Sequence, residues 1–530
     1  MSYARWGEPS PAAAPGGEAA GPGRRLAGQL LDAVACAARR GGRFWPHRPG
    51  HPQGGAPTPT ARQIGDDYLK ALARSAAGPA VAGALLATYQ LAPLPLALLA
   101  SAVFLAWAWL RPADGLVAVV LALPYNQSPR PVFGNWSFSA AEVGILLCAA
   151  AAGLALLLPV PAGPLSRVAS RRPRRLPRLA SFDRGALAFA LLAAASQAVA
   201  VQPWISLRAL RTVVLEPVAF YFLAVWLGGG RAGLLRLAGA VVASAAIVSL
   251  IGLWQYATNQ NIITAEESLR RIRGFYGSPN NLGLYLGRAL PLACCLWLFG
   301  GKGRRIYGLA LAPLAAALLL TFSAGAWLGV LAALLFVASL RGRRAFTAGI
   351  AGVAALTAAS VPFLLGLARF RSHFDLGEGT TFLRLQVWQS ALAMLRDHPL
   401  LGIGLDSFLY YYRDLKYMLP AAWREPSLSH PHNLVLDFWL SLGLAGLVLA
   451  VALLVRFFRA AIALYRTERD PWTRALALGV AASMVDFLAH GLIDNSYFLP
   501  DLAVLFWLAF AIVRVLRATA SREEPAEAGT

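Results

Sequence analysis

Residues 433–455 read NLVLDFWLSLGLAGLVLAVALLV, 23 residues carrying one charge, Asp437, and followed by Arg456. A run of about 20 apolar residues is long enough to cross a hydrocarbon core ~30 Å thick as an α-helix. In lipid the backbone must satisfy its own hydrogen bonds, so a helix is the natural reading. Comparable runs occupy 138–159, 182–201, 206–228, 233–257, 281–299, 306–322, 325–340, 345–367, 472–494 and 499–516. Residues 76–125 are also apolar, but Pro93, Pro95, Pro112 and Pro124 interrupt them, leaving one, two or three crossings. The expected fold is an all-α polytopic integral membrane protein with about 12–14 transmembrane helices.

Composition agrees. The 530 residues are 57% apolar and 14% charged, against roughly 25% charged in a soluble domain, and mean hydropathy is +0.55. The net charge of +22 is better read as a topology signal than as a nucleic-acid footprint, because the basic residues punctuate apolar spans. No nucleic-acid partner is expected. Cys36, Cys148, Cys294 and Cys295 form no C-x-x-C pair, which argues against a zinc site or a disulfide framework. Residues 1–75 are rich in Ala, Pro, Gly and Arg and read as a disordered basic cytoplasmic tail, with at most a short helix near Leu26 to Arg40. They show no cleavable signal peptide. The domains are then 1–75, a membrane domain over 76–517, and a cytoplasmic C-terminal tail over 518–530.

Orientation follows from arginine. Segment 162–181 holds Arg167, Arg171, Arg172, Arg174, Arg175 and Arg178 before Asp183, so it is placed inside. Parity then assigns the basic loops at Arg231 and Arg236, Lys302 to Arg305, Arg341 to Arg344, and Arg456 to Arg474 to the same side. Both termini come out cytoplasmic. The loops assigned outside, 258–280 and 368–431, are nearly neutral. Segment 368–431 is long enough to be functional or partly folded. Leu385, Trp388, Leu392 and Leu395 fall at helical spacing within it, predicting an amphipathic helix over 382–396 that ends near Asp397-His398-Pro399 and turns at Gly402 and Gly404. A plain lid would carry the same pattern.

Polar residues converge on the outer half of the membrane. Arg208, Arg211, Glu216, Asp437, Asp486, His490 and Asp494 fall at that depth, with Arg288 nearer the middle. Ionisable groups at membrane depth are functional candidates, although those near span ends also snorkel. His373, His398, His430 and His432 lie in the 368–431 loop or at its end, and histidine exchanges protons near neutral pH. A polar cavity open to the outer face, roofed by that loop, is expected.

Several strings carry a family resemblance. Ser429-His430-Pro431-His432-Asn433-Leu434 resembles the His-Asn signature of the O-antigen ligase and O-antigen polymerase-like superfamily. Arg273-Gly274-Phe275 with Pro279-Asn280, Arg384 with Trp388, His398-Pro399-Leu400-Leu401-Gly402-Ile403-Gly404, and His490-Gly491-Leu492-Ile493-Asp494 resemble further stretches of the same superfamily, in order, over about residues 90 to 516. One position departs: Ser323-Ala324-Gly325 stands where the family commonly has Ser-Arg-Gly.

The resemblance implies transfer of a glycan from a polyprenyl-diphosphate carrier to a hydroxyl of a glycan or glycolipid acceptor. The reaction would take place at the outer face of the cytoplasmic membrane, with no cofactor or metal. Ligase, polymerase and protein O-glycosylation share this chemistry and remain open. His432 is the candidate general base. Arg384, with Arg273 and Arg288 behind it, offers the fork for the diphosphate. Arg211, Asn433, His490 and Asp494 complete the expected substrate-binding set. A His430–His432 metal pair lacks a third ligand in the sequence. The alternative is a multi-span transporter or flippase. Its site would sit at the midplane between repeats, and no internal repeat is evident.

Overall fold

The computed structural model describes residues 77–134, 136–158, 178–264, 269–366, 371, 377, 379–414, 416–417 and 428–527. The expectations for the 1–75 tail, most of 162–181, and His373 fall outside them. The described chain is helical with two short hairpins. Among the described residues, nine helices are long and apolar enough to cross a membrane, and three shorter apolar helices accompany them.

The proline-broken stretch resolves into three helical segments: α1 over 77–91, α2 at Leu94–Leu110 and α3 at Pro112–Ala122. Strands β1 (Arg130–Phe133) and β2 (Trp136–Phe138) pair antiparallel and lead into α4 (Ala140–Leu157), whose start is fixed by a Ser139–Glu142 capping box. After α5 (Ser181–Ala195), the run expected as one span is helix α6, Pro203–Leu227. A π-helical turn over Leu210–Leu215 interrupts it, a local irregularity that apolar periodicity does not reveal.

Helices α7 (Gly230–Thr258), α8 (Pro279–Phe299), α9 (Arg305–Leu320), α10 (Ala324–Arg341) and α11 (Arg343–Gly366) follow. The amphipathic segment forms α12 (Thr380–Asp397), which buries Val387, Ala391, Met394 and Leu395, and it is followed by the short α13 (Phe408–Tyr412). The chain closes with α14 (Leu434–Thr467), α15 (Pro471–Gly491) and α16 (Pro500–Glu527). The helix α14 runs through Arg456 to Arg466, which charge alone reads as a loop. Phe457, Ala460, Ala461 and Leu464 are buried there at helical spacing while the arginines point away from them.

Helix α15 is the hub, packing on α8, α10 and α14. Hydrophobic burial does little to drive association in lipid, so close approach of small residues matters. A Cβ at Gly479 would press on Leu292 and Cys295, and one at Gly287 or Gly329 would strike Asp486. Helix α16 packs on α6 around Trp507, whose Nε1 donates to the Tyr497 hydroxyl at 3.0 Å. That hydroxyl in turn donates to the Val213 carbonyl inside the π-helical turn at 3.1 Å.

The turn after α12 is locked into a break in α14. Gly443 has φ 70° and ψ −179° inside an otherwise helical segment. The freed groups pair with the loop: Ile403 N donates to Leu440 O at 2.7 Å and Leu444 N donates to Leu400 O at 3.0 Å. Gly402 has φ 68°, and a Cβ there or at Gly443 would collide with backbone carbonyls of the opposite segment. Gly443→Ala is expected to cost about 1–3 kcal/mol and to lower the unfolding temperature of the detergent-solubilised protein. Gly153→Ala, in α4 with open space around it, serves as the control and should melt like the parent or slightly higher. Equal melting of the two variants would refute the docking role of the break.

Candidate functional site

The residues just before α14 and just after α15 meet. His432 adopts φ 49°, a conformation rarely taken by non-glycine residues. Asn433 then caps α14, its Oδ1 accepting from Val435 N at 3.0 Å and Leu436 N at 3.1 Å. Its Nδ2 donates to Leu492 O at 3.0 Å, which ties the start of α14 to the turn beyond α15. In that turn Asn495 N donates to Asp494 Oδ1 at 2.9 Å, and the Ser496 hydroxyl donates to Phe487 O at 2.9 Å.

This arrangement places Asp494 at the centre of three imidazoles. His432 Nδ1 lies 3.0 Å from Asp494 Oδ1, a hydrogen bond. His430 Nε2 stands 3.9 Å from the same oxygen and His490 Nε2 stands 3.9 Å from Oδ2, both too long for one. Burial alone would raise the Asp494 carboxyl. The nearby His430 and His432 outweigh it and hold the group well below the ordinary carboxylate value. An ionised carboxylate can only accept, so in this hydrogen bond His432 Nδ1 is the donor and Nε2 is turned away from Asp494 Oδ1. The His432 side chain retains 21% exposure, against 5% for Asp494.

His490 is fully buried, and neither ring nitrogen has a hydrogen-bond partner among the described residues. It fits because Gly325, beside Ala324, leaves room for the ring. His430 packs on His432 with ring centroids 4.4 Å apart, and its Nδ1 lies 3.0 Å from the Ser429 hydroxyl. His430, His432 and Asp494 each offer a ligand atom within 4.8 Å of the others. Asp494 thus stands where a third ligand to a His430–His432 pair would have to be.

A cavity of about 500 Å³ opens beside this cluster, walled in part by Arg208, Asn281, Asp406, His430, Asp437 and Asn495. His432 lies next to it and does not line it. Asp406 is open to solvent on one side. Burial against the surrounding protein still pushes its carboxyl up to about 6, against the pull of Arg208 and His430.

The arginines divide sharply. Arg384, half-buried on α12, has no side-chain partner among the described residues and lies within electrostatic reach of His490. Arg273 is engaged with Asn261, its Nε 3.0 Å from Asn261 Oδ1. Arg211 bridges Glu216 at 2.7 Å and Glu142 at 3.1 Å. Arg288 is buried against Asp486 at 2.8 Å and Ser496 O at 3.0 Å, with its guanidinium over the Phe487 ring. Sequence reading passed over Arg271, which is buried and donates to Thr321 O at 2.7 Å and Asn280 Oδ1 at 3.0 Å. It braces the turn that precedes Ser323-Ala324-Gly325. Asp406, Asn281 and Asn495 were likewise not singled out, since none falls in a recognisable string.

The depressed Asp494 carboxyl makes a pH prediction. A group with a lowered folded-state pKa contributes stability that is present above its unfolded value and is lost as pH falls towards the folded value. Asp494→Asn should be less stable than the parent near neutral pH, by about 1–3 kcal/mol. Its unfolding temperature should also fall less steeply below about pH 4. Parallel acid limbs for the two proteins would contradict the assignment.

The comparison with curated proteins gives no match. A family model described as O-Antigen ligase matches residues 309–451, which contain Arg384, His430, His432 and Asn433 and stop short of His490 and Asp494. Ligase- or polymerase-type glycan transfer is the activity this match supports, and a chain of membrane-length helices is the architecture it accompanies. Over these residues, from the second turn of α9 to the middle of α14, the chain is similar to O-antigen ligases.

Proposed function

We propose that the protein transfers a glycan from a polyprenyl-diphosphate carrier to an acceptor hydroxyl, with His432 as general base and Arg384 receiving the diphosphate. The observation that carries this reading is the His432–Asp494 pair. Its carboxylate holds Nδ1–H at 3.0 Å and leaves Nε2 as the basic atom on a partly exposed ring. Such pairing orients an imidazole and stabilises its protonated form.

In the proposed step the acceptor oxygen attacks the anomeric carbon and its proton passes to His432 Nε2. The bond between that carbon and the diphosphate oxygen breaks, and polyprenyl diphosphate leaves with the electron pair. Direct attack of this kind inverts the anomeric centre. The growing charge on the leaving group calls for a guanidinium, which binds phosphate in a bidentate manner that an ammonium does not reproduce. Arg384 can supply it without first releasing a side-chain partner among the described residues. Asn433 fixes the backbone that presents His432. Asp494, with His490 behind it, sets the imidazole's orientation. The reading places this chemistry on the non-cytoplasmic side of the cytoplasmic membrane, with both chain ends inside.

Purified protein given a polyprenyl-diphosphate glycan and an acceptor should release polyprenyl diphosphate. His432→Ala should lower kcat by about 10²–10⁴-fold while donor binding persists, and unchanged turnover would remove the general-base role. Arg384→Lys should weaken donor handling although its charge is kept; full activity would count against bidentate recognition. A chelator should leave the rate unchanged, whereas loss of activity restored by a divalent cation would make His430, His432 and Asp494 a metal site. Passage of labelled substrate across sealed vesicles without bond cleavage would replace transferase with transporter.

A further inference from the structure

A second cavity shares Arg208 with the first. It measures about 430 Å³ and is lined by Trp136, Ser137, Trp204, Leu207, Arg208 and Arg211, with Gly134 at its edge. Arg208 also lines the 500 Å³ cavity that contains His430, so one exposed arginine forms part of the wall of both spaces. Each volume falls within the roughly 300–1,000 Å³ range of small-molecule sites.

The chemistry of this second space is uneven in an informative way. Trp204, at the start of α6, is 79% exposed, and Trp136, on β2, is 41% exposed. Trp136 is presented by the short hairpin, and Trp204 by the first turn of the helix that carries Arg208 and Arg211. The Arg211 guanidinium is held by Glu142 and Glu216 and lies over the Phe138 ring, yet its buried Nε–H has no partner among the described residues. The Arg208 side chain has no hydrogen-bond or ion-pair partner among them either. Two indole faces beside guanidinium donors do not match an alkyl chain, which has nothing to accept those N–H groups.

A pyranose ring fits better. It has an apolar C–H face that packs on an indole and a rim of hydroxyls that accept from N–H donors. We propose that the trough of Trp136, Trp204 and Arg208 is a carbohydrate subsite, holding the sugar units that extend past Arg208 from the reacting end in the neighbouring cavity. This rests on the glycan-transfer reading. It adds that substrates longer than one or two sugars are gripped away from the chemistry, so remote binding favours the longer glycan.

The test uses the full chain in detergent micelles. The probe is the oligosaccharide released by mild acid from the polyprenyl-diphosphate pool of producing cells, fractionated by length. Saturation-transfer NMR measures binding independently of turnover. The parent should bind the longer fractions. Trp204→Ala and Trp136→Ala should weaken that binding about tenfold, by analogy with stacking on aromatic platforms. Trp204→Phe should stay close to the parent, and the shortest fraction should be indifferent to all three changes. In turnover assays the Ala variants should raise KM for long glycans and leave kcat with short ones unchanged.

Equal affinity of the parent and both Ala variants for the long fractions overturns the subsite. So does a result in which Trp204→Ala changes only quenching by brominated lipids, which would make Trp204 a membrane-interface anchor. Tryptophan-dependent binding without turnover in the parent keeps the subsite and removes the transferase reading. Turnover with no tryptophan dependence does the reverse.

Discussion

A buried carboxylate that must share its charge with imidazoles is the constraint on which the site depends. Asp494 is 4% exposed, and an ionised group at such depth costs several kcal/mol unless it is hydrogen-bonded. No lysine or arginine neutralises it among the described residues. Asn495 N and His432 Nδ1 occupy Oδ1, and His490 faces Oδ2 from further away. Each contact fixes a piece of backbone. His432 must take a left-handed conformation to reach, Asn433 must staple α14 to Leu492 O, and Ser496 must be anchored on Phe487 O. The Arg288–Asp486 pair then reads as support, because Arg288 also holds the Ser496 carbonyl, two residues past Asp494.

Glycine makes that support geometrically available. Gly287 on α8 and Gly329 on α10 both face Asp486, and Gly325 on α10 faces His490. These positions let three helices close around a carboxylate and an imidazole on α15. A side chain at Gly325 would meet His490 directly, which couples the Ser323-Ala324-Gly325 turn to the histidine behind Asp494. Arg271 braces the same turn through Thr321 O. The neighbourhood of Ala324 is therefore built around a guanidinium even though position 324 carries none.

Sequence made the helices legible because membrane length and hydropathy are properties of contiguous residues. It also picked out His432, His490 and Asp494, since His-Asn and His-Gly-Leu-x-Asp are local strings. What local strings do not encode is which charges find each other. Arg211, Arg288 and Glu216 were singled out by depth, but depth along a span leaves the partner on another helix unspecified. Asp486 lies 198 positions from Arg288 in sequence and 2.8 Å from it in space. The π-helical turn in α6 and the break at Gly443 were invisible for a related reason. Apolar composition is the same on both sides of each, and what distinguishes them is the contact made by a distant segment.

The cations can be ranked by what an incoming anion would have to displace. Arg288 would have to abandon a buried carboxylate, which leaves that charge uncompensated and costs several kcal/mol. Arg211 would have to release two carboxylates, and Arg273 and Arg271 would each give up hydrogen bonds to the chain. Arg384 and Arg208 would break no hydrogen bond or ion pair among the described residues, Arg208 feeling Asp406 and Arg384 feeling His490 only at longer range. A group with partners of its own is pre-organised for the fold, while a guanidinium without them is pre-organised for a ligand. By that measure the paired Arg211 and Arg288 hold the helices together. Among the described residues the side chains of the half-buried Arg384 and the exposed Arg208 have no hydrogen-bond or ion-pair partner, and for that reason the proposed function assigns them to a phosphorylated, hydroxyl-rich substrate.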